Sequence, residues 1–121
     1  MSTLDPVDAL RQADELLRRR RPGDALAVLA PLLSDEPNSR AVLELAGRAW
    51  FSSAQLGRAE TAFARLVELD PTDAYARFAL GRVYERQSRH GEARRHFRLA
   101  VAMDPRAEYS DGLARVEQRL A

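Results

Sequence analysis

The chain has 121 residues, 45% of them hydrophobic and 31% charged, with a formal net charge of +1 and no cysteine. That is the size and balance of one folded domain with a modest core. It excludes disulfides, thiol nucleophiles and thiolate metal sites, and a near-neutral chain offers no global field to nucleic acid or a membrane surface. All 19 basic residues are arginine, so lysine Schiff-base chemistry is excluded as well, and the arginine and alanine bias associates the sequence with a GC-rich bacterial genome.

The N-terminal stretch MSTLDPVDAL is acidic and lacks an apolar run, which predicts no secretory signal. No run of about 18 apolar residues follows, so no membrane span is predicted and the expected location is the cytoplasm. The first helix is predicted over 6–19: Asp5 suits an N-cap, Pro6 the first helical position, and Asp8 the positive end of the helix dipole. Four arginines, Arg18 to Arg21, then lead into Pro22-Gly23. Cations near a helix C-terminus favour its negative end, so a local turn accounts for most of this run. A second helix is predicted over 23–34, with Pro31 inside it expected to remove a ladder bond and introduce a kink. Helices over 40–53, 57–69, 74–87, 91–103 and 107–120 complete the chain.

These elements recur at a fixed period. The acidic-proline pairs Glu36-Pro37, Asp70-Pro71 and Asp104-Pro105 are spaced by 34 residues, and other columns fall into the same register. One holds Ala13, Gly47 and Gly81, where a small residue lets helices approach closely. Another holds Leu16, Trp50 and Tyr84, which fill the space beside that contact. Gly23, Gly57 and Gly91 lie between the two helical patterns and are expected to relieve the turn through positive φ. Ala25, Ala59 and Ala93 permit close packing of the second helix. Leu29, Phe63 and Phe97 are its buried partners, and the prolines end each unit. The predicted organisation is a single domain, 1–121, of three repeats (6–39, 40–73 and 74–107) with a capping helix over 108–121. In that last helix Tyr109, Leu113, Val116 and Leu120 form one apolar stripe. The strict register misplaces them, so a shortened connection or a rotated helix is expected.

Over residues 6–105 these columns resemble the tetratricopeptide repeat family. The resemblance implies an all-α, right-handed solenoid of helical hairpins, about seven helices in all, whose inner face lines a concave groove for an extended or helical peptide. There are departures. The column that often carries tryptophan in this family holds Ala9, Leu43 and Arg77, and Arg77 is expected to be half exposed. Gln12 stands where leucine is typical.

No constellation for catalysis, cofactor or metal is found. His90 and His96 are six residues apart, not the helical i, i+4 metal pair, and both are expected to face solvent. No phosphate-binding glycine loop or zinc pattern occurs, and carboxylates are expected to answer surface cations, as in Glu92 with His96 and Glu44 with Arg48. The expected function is therefore non-catalytic protein binding, as an adaptor, scaffold or assembly factor.

The candidate groove follows from the remaining inward positions of each first helix. The first contributes Val7, Leu10, Asp14 and Leu17, with Arg18 at the edge. The second contributes Ala41, Glu44, Arg48 and Phe51, and the third Tyr75, Phe78, Arg82 and Glu85, with Arg86 beside them. Exposed apolar and aromatic groups edged by arginine mark a partner surface for a segment carrying apolar anchors and carboxylates. One subclass of the family binds acidic chaperone tails through a clamp of lysine, asparagine and arginine. The corresponding positions here are Leu10, Asp14, Leu45, Tyr75 and Ala79, which do not match, so that mode is not expected. Two alternatives remain. Residues 74–107 carry eight arginines and three acids, hence +5, which offers a polyanion or nucleic-acid contact around Arg89, Arg94, Arg95 and Arg98. The apolar stripe of the last helix offers self-association into a homodimer.

Overall fold

The structure, a computed structural model, describes residues 5–121; the first four residues of the N-terminal stretch read above lie outside it. Seven α-helices make up the described fold: α1 (Pro6–Arg18), α2 (Pro22–Asp35), α3 (Arg40–Ser52), α4 (Leu56–Leu69), α5 (Ala74–Arg86), α6 (His90–Met103) and α7 (Ala107–Leu120). The first helix of each pair begins in the same way. Asp5, Ser39 and Asp73 are N-caps 34 residues apart, and their side chains accept from the backbone N–H of Val7, Val42 and Ala76. Each cap satisfies one of the orphan donors of a first turn. Helix α2 continues through Pro31 as a single helix, with the proline on its exposed side.

The turns inside the pairs also repeat, but not through the predicted residues. Arg20, Ala54 and Ser88, again 34 apart, adopt φ of 59°, 60° and 59°. The N–H after each bonds back to the carbonyl five residues earlier: Arg21 to Leu16, Gln55 to Trp50 and Arg89 to Tyr84, each at 2.8 Å. With the shorter bonds Arg20 to Leu17, Ala54 to Phe51 and Ser88 to Glu85, these are Schellman caps. The expectation of positive φ at Gly23, Gly57 and Gly91 is therefore wrong. All three glycines lie in the first turn of the following helix without positive φ, and a Cβ on any of them would meet nothing within 4 Å.

The chain divides into two compact units, one through Arg65 and the other from Leu66 to Ala121. In the first, Ala13, Ala25, Leu29, Val42, Ala46 and Ala49 form the centre of the core. Leu10, Leu16, Leu17 and Trp50 pack against it while partly exposed. The small column has the predicted purpose: a Cβ on Gly47 would approach the Phe63 ring to 2.8 Å.

The second unit is built around an aromatic cluster. Phe97 is fully buried, its ring centroid 5.6 Å from that of Phe78, and Phe78 stacks on Tyr109 of α7 at 4.6 Å. A Cβ at Gly81 would meet the Phe97 ring at 2.6 Å, and one at Gly112 would meet it at 3.0 Å. Helix α7 starts one residue before the 34-residue register, with Arg106 at the N-cap. The shift brings Tyr109, Gly112 and Val116 inside and leaves Leu120 42% exposed, so Leu120 leaves the predicted stripe.

The expectation for His96 fails in this core. His96, read as solvent-facing, is 5% exposed and lies beside the Tyr84 ring, with centroids 5.3 Å apart. Its neighbour Phe97 fixes the buried face of α6, and His96 lies on the same side toward α5. Glu92, expected to pair with His96, instead takes Arg89 through both carboxylate oxygens at 3.0 and 2.7 Å. Arg77 is half-buried, as expected.

Candidate functional site

In the first unit the candidate residues come together on neighbouring helices α1 and α3. Leu10 and Leu17 are partly buried against the core, so only part of each side chain is available to a partner. Asp14 is the centre of the polar part. Its carboxylate accepts from Arg18 of its own helix at 2.9 Å and from Arg48 of α3 at 3.4 Å. Two guanidinium groups thus share one carboxylate, which leaves the cluster with one surplus positive charge. Arg18 remains 70% exposed at its side chain and Arg48 35%. Glu44 and Phe51 of α3 are half-buried nearby in sequence, and Val7 at the start of α1 is 60% exposed.

The second unit treats its share differently. Phe78, expected as an exposed groove residue, is 3% exposed. It belongs to the core because α7 lays Tyr109 over its ring. Glu85 is taken by Arg115 of α7 through two contacts of 2.9 and 3.0 Å. Tyr75 is half-buried, and Arg82 and Arg86 are exposed. The Arg82 guanidinium lies 5.9 Å above the Phe78 ring centroid, within reach of the ring's negative face.

The family model of the tetratricopeptide repeat matches residues 10–74 and 51–108, overlapping segments that cover most of the sequence. The chain belongs to the tetratricopeptide repeat family. Solved tetratricopeptide repeat structures share its fold. The Sgt2 domain from Aspergillus fumigatus matches with a TM-score of 0.87 at 16% identity, over 96% of this chain and 80% of that one. The first such domain of Spaghetti (RPAP3), bound to the HSP90 peptide SRMEEVD, matches with a TM-score of 0.86 at 16% identity, over 99% and 98%. MamA 41-end from Desulfovibrio magneticus RS-1 matches with a TM-score of 0.88 at 22% identity, over 95% and 66%. No curated protein sequence matches the chain.

Two features of this tetratricopeptide repeat chain escape a reading of isolated helices. The Asp14–Arg48 contact joins residues 34 apart, so it was available in the repeat register as an aligned acid and base. The Arg115–Glu85 contact was not, because the one-residue shift at α7 breaks that register. Of the positions compared with the acidic-tail clamp, Leu45 and Ala79 are buried, at 9% and 5% exposure. No helix among the described residues is long and apolar enough to cross a membrane, and no group of three or more metal-ligating side chains is found among them.

Proposed function

We propose that the chain is a non-catalytic adaptor or assembly module of the bacterial cytoplasm, a single domain of three repeats and a terminal helix. It binds a partner protein's segment on the face presented by α1 and α3. The observation that supports this most directly is the Arg18–Asp14–Arg48 cluster beside partly exposed Leu10, Leu17 and Phe51. A partner carboxylate entering the cluster meets two guanidinium groups already oriented by Asp14 and restores its charge balance, while apolar anchors settle on the leucines and Phe51. Within the second unit, Tyr75, Arg82 and Arg86 of α5 are candidate contact residues of their own. Family membership supports the protein-binding class, since tetratricopeptide repeats are interaction modules. The HSP90 peptide belongs to the neighbour that holds it, and the clamp positions here argue against an acidic chaperone tail.

The test is affinity capture from the native lysate with the wild-type chain, Arg48→Ala and Arg82→Ala, each checked for helicity by circular dichroism. Removing a charge-assisted contact is expected to weaken capture by about tenfold for Arg48→Ala. Undiminished capture by both folded variants overturns the assignment.

A further inference from the structure

The helix pairs α3/α4 and α5/α6 hold equivalent positions 34 residues apart, and a difference between them exposes a second surface. In α5/α6, His96 projects beside Tyr84, with ring centroids 5.3 Å apart, and is itself buried. The equivalent residues in α3/α4 are Ala62 and Trp50. Ala62 ends at its methyl group, and the space beside the half-buried indole is an open cleft of about 560 Å³. Leu43, Trp50, Thr61 and Ala62 contribute to its walls, with Arg58 and Arg65. The volume lies in the range of sites that accept a defined ligand group. Its lining includes two arginines and no carboxylate. Arg58 is exposed, and the Arg65 guanidinium donates to the amide oxygen of Asn38 at 2.6 and 3.1 Å.

From this geometry we infer that the α3/α4 cleft is a docking pocket for one aromatic side chain of an acidic partner segment. The ring stacks on Trp50 over Leu43 and Ala62, and carboxylates flanking it meet Arg58 and Arg65. An aromatic group fits because it offers a large apolar face at little rotamer cost and pairs with the indole. The acidic flank follows from the one-signed charge of the lining. This pocket shares no residue with the α1/α3 face and stands whether or not that face binds a partner.

Trp50 is the chain's only tryptophan, so its indole N–H gives a single, assigned NMR cross-peak. The full-length chain is titrated with the capped peptide Glu-Asp-Phe-Asp-Glu, with the same peptide carrying serine for phenylalanine, and with a form carrying lysine in place of every acid. The acidic phenylalanine peptide is expected to shift the cross-peak saturably, with a Kd of about 1 mM for so short a ligand. The other two peptides are expected to bind about tenfold more weakly. Ala62→His, which introduces the side chain that α6 already carries there, and Arg58→Glu, a surface change that leaves the core intact, should each weaken binding by about tenfold. Arg48→Ala should leave it unchanged. Absence of a shift in the wild type, a shift that survives either Ala62→His or Arg58→Glu, or equal binding of the lysine peptide overturns the assignment.

Discussion

The neighbouring helix pairs α3/α4 and α5/α6 use the same backbone devices and put different chemistry inside them. Ser39 and Asp73 cap the first helices, and Ala54 and Ser88 close the turns in the left-handed region, at identical spacing. Yet Leu43 and Ala62 of the first pair are replaced by Arg77 and His96 in the second. The Arg77 Nε and His96 Nδ1 atoms are buried there without a hydrogen-bond partner. The caps and turns are set by what a backbone needs at a helix end, so they recur. The side chains between helices are constrained only in volume, so the second pair can carry a polar, titratable interior where the first carries an apolar wall and an open cleft.

The sharpest way to separate the pairs is acid. Burial lowers the pKa of His96 from 6.5 to about 4, with Arg95 and then Arg77 adding to the effect and Glu92 opposing it. The unfolded chain therefore binds a proton that the folded chain refuses between these values. Stability is full above pH 6.5, declines as pH falls through the window, and levels off below 4. The expected loss is about 2 kcal/mol by pH 5. Urea unfolding at pH 7.5, 6 and 5 reads it directly. His96→Gln, which cannot titrate, should flatten this part of the profile, and an unchanged profile would remove His96 as its cause.

Close packing distinguishes the pairs next. An added methyl at Gly81 meets the Phe97 ring at 2.6 Å, and that ring is also bounded by Gly112 and by Phe78. At Gly47 the approach to Phe63 is 2.8 Å, at the outer end of the ring. Gly81→Ala is expected to cost about 2 kcal/mol despite the better helix propensity of alanine, and Gly47→Ala about 1 kcal/mol. Equal urea midpoints for the two variants would show that Phe97 retreats as readily as Phe63.

Ion pairs give a smaller contrast. Glu85 holds Arg115 through two short contacts, and its side chain is 24% exposed, whereas Asp14 meets Arg48 through one contact of 3.4 Å. Glu85→Ala should destabilise the docking of α7 by about 1 kcal/mol, and Asp14→Ala by about half as much. Hydrogen exchange along α7 should accelerate only in the first variant.

How far the sequence reaches follows the same division. The helices, the close approach at Gly47 and Gly81, and the buried stripe Ala93, Phe97 and Ala100 were legible because small and bulky residues recur every 34 positions. His96 was not, because a single imidazole beside that stripe carries no periodic signal and its burial depends on Tyr84 across the hairpin. Phe78 was placed on the groove by its spacing, and only the docking of Tyr109 from α7 takes it inside. The shared acceptor role of Asp14 was half visible: the register aligns it with Arg48, while the side-chain reach that joins them is a property of the folded pair.

Effects of similar, small size are expected in the glycine column, where the register was clear and its reading was displaced by three residues. The left-handed turn position is held by Arg20, Ala54 and Ser88, and of these alanine brings a Cβ with no polar group to offset its strain. Three residues on, Gly57 occupies an ordinary helical position with nothing within 4 Å of where a Cβ would lie. Glycine is thus absent where the backbone would use it and present where the helix gains nothing from it. Ala54→Gly should stabilise the chain by about 1 kcal/mol, and Gly57→Ala by about 0.5 kcal/mol at an exposed first-turn site. The two together should add, because they act through different residues' conformational freedom. A rise in melting temperature for Gly57→Ala alone, with none for Ala54→Gly, would mean that the Gln55 to Trp50 bond already offsets the left-handed strain at Ala54.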